Sequence, residues 1–111
     1  MRYITNAFSL SMISTPTATL RVEKIPKEVF CQEARNAVSA VGHPATAQVL
    51  STICGFPISA NRVMITLQPG DTLLVFQILE RLPEGKVLTA SEVQQLVEQG
   101  KIAFFKVVTQ A

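Results

Sequence analysis

The segment Gln68-Pro-Gly-Asp-Thr-Leu-Leu-Val-Phe-Gln-Ile-Leu79 carries the strongest architectural signal in the chain. Pro69-Gly70 suits the two central positions of a type II turn, because proline presets the first φ and glycine accepts the positive second one. Behind it, Thr72 to Leu79 is apolar on both faces apart from Gln77. A strand that must bury both faces belongs in the middle of a sheet. Just before the turn, Arg62 to Leu67 alternates, with Val63, Ile65 and Leu67 on one face, and reads as a strand pairing with 72–79. A two-residue loop would set Arg62 opposite Gln77, with Met64, Val75 and Leu79 on the same face. A bulge would send Gln77 to the other side, because side chains alternate with period two.

Working outward, Arg2 to Thr5 reads as a short strand and Ser14-Thr-Pro-Thr17 as a turn. Ala18 to Ile25 alternates as a second strand, with Leu20 and Val22 facing one side. Pro26 opens a helix whose apolar positions Phe30, Ala34, Ala37, Val38 and Val41 keep three-and-four spacing, and Gly42 ends it. Pro44 fits the first position of the next helix, which makes His43 its cap. That helix carries Thr46, Val49, Leu50 and Ile53 along one stripe and stops at Gly55. Thr89-Ala-Ser-Glu92 is a capping box for a last helix, with Val93, Leu96 and Val97 inward. Lys101 to Thr109 closes the chain as a strand. The expected architecture is α+β: a single domain with a mixed sheet of about five strands covered by about three helices.

Bulk properties narrow the function. The chain has 111 residues, enough for one core, of which 48% are hydrophobic and 16% charged. That is more apolar than an average soluble domain and points to self-association as a twofold homodimer. A net charge of +2 is too small to capture long nucleic acid by electrostatics, so an anionic ligand must be gripped by a few placed donors. No apolar run approaches the roughly 20 residues that span a bilayer, and no membrane association is expected. Asn6, Ser9 and Ser11 interrupt the N-terminal apolar stretch, which therefore lacks a signal-peptide core, and a cytoplasmic location is the default. Cys31 and Cys54 fall on separate helices without Cys-x-x-Cys spacing and read as a free, buried pair. With a single histidine and no close group of acids, neither a metal site nor another cofactor is expected.

The groups left over can handle phosphate. His43, at a helix mouth, is either a plain surface cap or a proton donor beside free backbone N–H groups where anions settle. Arg81 and Glu84, on the turn after the central strand, form either a solvated ion pair or a guanidinium and carboxylate aimed at a phosphorane. Asn6-Ala-Phe-Ser9 is an ordinary strand-ending turn, or one that exposes N–H groups to a phosphate. Arg62 and Gln77 either keep a sheet edge soluble or meet a phosphate and an adenine edge.

These residues resemble, in order and separation, the viral type III anti-CRISPR ring nuclease family and its bacterial relatives. The matching signatures are Tyr3-Ile-Thr-Asn-Ala-Phe-Ser9, Gly42-His43, Ile53-Cys-Gly55, Asn61-Arg-Val63, Gln77-Ile78, Arg81-Leu82 and Glu84-Gly-Lys-Val-Leu-Thr89, covering nearly the whole chain. The resemblance implies a homodimer that binds cyclic tetra-adenylate, the messenger of type III CRISPR defence, and linearises it without a metal. It assigns the general acid to His43, its catalytic partners to Arg81 and Glu84, and ligand contacts to Asn6, Ser9, Ser11, Arg62 and Gln77. Ser11 stands where relatives carry an amide side chain, and Pro44 and Pro83 also depart from them. A protein that sequesters the cyclic nucleotide without cutting it, or a structural protein with no nucleotide ligand, are the competing readings.

Overall fold

In the computed structural model, which describes residues 1–79 and 89–110, the strand β4 (Thr72–Ile78) is flanked on both edges. On one side lies β1 (Arg2–Thr5), parallel to it; on the other lies β5 (Ile102–Thr109), antiparallel. β2 (Leu20–Lys24) extends the sheet beyond β5, and β3 (Val38–Ser39) closes the opposite edge parallel to β1. The order is β2-β5-β4-β1-β3. With α1 (Lys27–Ala34), α2 (Pro44–Cys54) and α3 (Ala90–Glu98), this is the expected α+β domain of a five-stranded mixed sheet and three helices.

Alternation along β4 divides the core. Leu74 and Phe76 point to the helices, where they join Phe30 of α1, Val49 and Leu50 of α2, and Val93 of α3. The Phe104 ring sits 5.0 Å from Phe30 and 5.7 Å from Phe76, both tilted, an arrangement worth about 0.5–1.5 kcal/mol per pair beyond burial. Leu73 and Val75 point the other way, toward Tyr3, Phe8, Ile65, Leu67 and Val107. Among the described residues, irregular segments and a short 3-10 turn at Leu10–Met12, rather than α-helices, supply the cover on that second face, and Val22 on β2 remains 60% exposed.

Three expectations give way. Residues 62–67 form no strand; among them Leu67 alone makes a bridge, to Ile13. The turn at Pro69-Gly70 is present, with Gly70 at φ 93° and the Asp71 N–H donating to the Gln68 carbonyl at 2.9 Å. It does not make a hairpin because β1 and β5 already occupy both hydrogen-bonding edges of β4. Gln77 therefore faces Ala103 of β5 and not Arg62.

Second, α1 stops at Ala34, and Val38–Ser39 is strand. Pairing Tyr3 with Val38 gives β1 a second neighbour, and a β-branched residue fits a sheet edge better than a helix end. Third, Cys31 and Cys54 are on separate helices as expected but joined as a disulfide, with Cα atoms 5.2 Å apart, tying α1 to α2.

Polar groups in the core's margins are paired. Asp71 accepts from the Gln68 N–H at 2.9 Å and from the Met1 ammonium at 3.0 Å. Burial works to raise its carboxyl, but the Gln68 N–H and the ammonium outweigh it and hold the group below the ordinary carboxylate range. Glu33 on α1 bridges to Lys106 of β5 at 3.0 Å and, more loosely, to Arg2 of β1 at 3.7 Å. No helix among the described residues is long and apolar enough to cross a membrane.

Candidate functional site

The parallel strands β3, β1 and β4 end on one side of the sheet, and the chain leaves each of them there. Asn6 follows β1, the Ala40–Val41–Gly42 stretch follows β3, and Leu79 follows β4. Ligands of open sheets gather at this carboxyl edge, because strand exits leave room and unpaired backbone groups there.

The exit of β3 is held closely. The Ala40 N–H donates to the Ile4 carbonyl at 2.7 Å, and the Gly42 N–H to Asn6 Oδ1 at 3.3 Å. His43 follows with extended backbone (φ −122°, ψ 127°) as the N-cap of α2, and Pro44 takes the first helical position, as expected. The imidazole is exposed and makes no capping hydrogen bond, so it is available to a ligand at the helix mouth. Arg62 crosses at the same place: a Cβ added to Gly42 would sit 3.7 Å from Arg62 Cγ. The arginine stem thus lies close against the strand exit, at a distance where a Cβ on residue 42 would make only ordinary van der Waals contact. Asn6, the stem of Arg62 and the main chain that leads into His43, distant in sequence, meet here.

Asn6 also faces a cavity of about 380 Å³ over the side of the sheet opposite α1, α2 and α3, lined with Phe8, Val22, Val75, Gln77 and Phe105. Its walls are apolar and its polar groups are two side-chain amides, Asn6 and Gln77. With Asn6 Oδ1 accepting from Gly42, both N–H donors of its amide nitrogen remain to offer a ligand. Gln77 retains both its donor and acceptor chemistry on an exposed side chain. The combination suits a flat heteroaromatic base: apolar contact for its faces, amides for its edge.

Ser9 and Ser11 lie just beyond, on a short 3-10 turn (Leu10–Met12). Ser9 caps that turn, and the two hydroxyls are 2.9 Å apart; both are exposed, and neither lines the cavity. Arg81 and Glu84 fall outside the described residues; the chain enters that stretch from Leu79, two positions past Gln77. Sequence reasoning gave Asn61 no role of its own, yet its N–H donates to the Val41 carbonyl and its side-chain amide to the Ser39 carbonyl, both at 2.8 Å. No local pattern signals that, since it depends on where residues 59–62 cross the sheet edge.

The fold and this edge define a small α+β domain with a polar strand-exit site beside an apolar cavity. The chain belongs to the STIV B116-like family, whose model matches residues 2–104. It is 32% identical over 105 residues to ORF116 of Acidianus filamentous virus 1, covering 93% of this chain and 90% of that protein. It is 36% identical to protein 26 of Sulfolobus islandicus filamentous virus, covering 98% and 93%. The structure of B116 of Sulfolobus turreted icosahedral virus superposes with a TM-score of 0.87 at 35% identity, covering 96% of this chain and 97% of that one.

Proposed function

We propose that this protein is a metal-independent ring nuclease that binds cyclic tetra-adenylate between two copies of the chain and linearises it. The observation that carries the reading is the double engagement of Asn6: it lines the amide-and-apolar cavity and bonds the strand exit that ends in His43. A base in the cavity would therefore bring its adjoining phosphate toward His43 and Arg62.

RNA supplies its own nucleophile, the 2′-hydroxyl. With that oxygen held in line with the scissile phosphorus, it gives up its proton to solvent and bonds to phosphorus as the bond to the 5′ oxygen breaks. The products are a 2′,3′-cyclic phosphate and a 5′-hydroxyl. The His43 imidazolium gives its proton to the departing 5′ oxygen, a contribution of about 10²–10⁴-fold. Arg62 holds a phosphate, with Asn6, Ser9, Ser11 and Gln77 contacting the rest of the ligand. Arg81 would stabilise the extra phosphorane charge, worth on the order of 10²–10³ in rate, and Glu84 would orient His43 or Arg81.

Exposed apolar side chains sit on the segments that carry these groups. Leu10 lies between Ser9 and Ser11, Met64 two residues past Arg62, and Leu79 two past Gln77, with exposures of 79%, 94% and 59%. A second copy would cover them and present the same donors twice to a ring that has its own twofold symmetry.

The test is incubation with cyclic tetra-adenylate in excess EDTA, resolving products by chromatography. Linear adenylates ending in a 2′,3′-cyclic phosphate are expected. Tight binding without turnover would make the protein a sequestering one, and no binding would remove the nucleotide reading altogether.

A further inference from the structure

We propose that Asn61 is a positioning residue that sets where the His43 ring and the Arg62 side chain stand by clamping the strand exit that leads into His43. The assignment rests on the ring-nuclease reading for its rate prediction but not for its structural one. His43 makes no capping bond of its own, so the placement of its ring is inherited from the main chain entering α2. That main chain is gripped from two sides. Asn6 takes the Gly42 N–H from within the sheet. Asn61 takes two carbonyls from outside it, Val41 through its backbone N–H and Ser39 through its side chain, each at 2.8 Å.

The same crossing is stitched by the Ser39 hydroxyl, which donates to the Ser59 carbonyl at 2.6 Å. Residues 59–61 thus cover the outer edge of β3 without forming a strand. Arg62 follows directly, its stem against Gly42. One residue therefore fixes both the floor under the imidazole and the root of the arginine. Its side chain is nevertheless exposed, and a hydrogen bond shared with water adds little to stability. A purely structural role predicts a nearly silent substitution. Positioning predicts a slow enzyme, since a displacement of about 1 Å at a reacting group can cost 10²-fold in rate.

The chain has one histidine, so its imidazole NMR signals are unambiguous. Asn61→Ala and Asn61→Asp are compared with the parent. The second keeps the shape but replaces the donor to the Ser39 carbonyl with an acceptor. Expected in both are shifted His43 ring resonances, a melting temperature close to the parent's, and a single-turnover rate on saturating cyclic tetra-adenylate lower by about 10–10²-fold. Should the alanine variant not fold, the aspartate variant carries the same readouts. Unchanged His43 resonances with unchanged rates would overturn the proposal. If the parent itself does not cleave the ring, the resonances alone decide: a shift upholds the clamp while the reaction assigned to it falls, and no shift sinks the clamp as well.

Discussion

His43 and the stem of Arg62 flank Gly42 at one corner of the molecule, and the proposed reaction gives them separable tasks. In the proposed reaction, replacing His43 by alanine removes the proton donor and leaves the cavity, which His43 does not line, intact. Turnover of cyclic tetra-adenylate should therefore fall by about 10²–10⁴-fold, while the dissociation constant measured by calorimetry stays near the parent's. Arg62→Ala should do the reverse, weakening binding by about tenfold or more through a lost charge-assisted hydrogen bond, with a smaller change in the single-turnover rate. Far from that corner, Asp71 makes a pH prediction. Its carboxyl is held below the ordinary range in the folded chain by the Gln68 N–H and the N-terminal ammonium. Its contribution is then complete above the unfolded value of about 3.9 and is lost as pH falls through the lower folded value. Urea midpoints should drop more steeply below about pH 4 in the parent than in Asp71→Asn.

At the scale of elements, the disulfide between α1 and α2 closes a separation of 23 residues. Chain-entropy reasoning puts its worth at about 3 kcal/mol. Urea denaturation of the parent should weaken by that order when reductant is added, and Cys31→Ser should be insensitive to reductant. What the chain disclosed in advance was what local pattern controls: β4 from its two apolar faces, α2 from Pro44, α3 from the Thr89 capping box, which forms reciprocally with Glu92. What it hid depends on competition between distant segments. Residues 62–67 alternate like a strand, but β4 had no free edge to give them. Ala37 and Val38 kept helical spacing, yet β1 had an edge to fill. The site divides the same way. Asn6 and His43 were visible as a turn and a cap; their link through Gly42, and the work of Asn61, arise only when β1, β3 and residues 59–62 come together.

For the whole molecule, one sheet face is packed by three helices and the other is roofed by irregular chain that leaves Val22, Leu10 and Met64 in solvent. In the proposed homodimer, two copies close over those surfaces. Sedimentation at micromolar concentration should give twice the mass of one chain, and Met64→Glu should shift it toward the monomer while weakening ligand binding. A monomer that persists in the presence of cyclic tetra-adenylate would remove the shared site. Protonation of the leaving 5′ oxygen by His43, the step on which the proposed reaction turns, can be probed by changing the leaving atom. Cyclic tetra-adenylate with sulfur in place of the bridging 5′ oxygen expels a thiolate that needs no proton. His43→Ala should open this sulfur-linked ring at close to the parent's rate while remaining slower by about 10²-fold or more on the natural one. An equal defect on both rings would contradict the assignment.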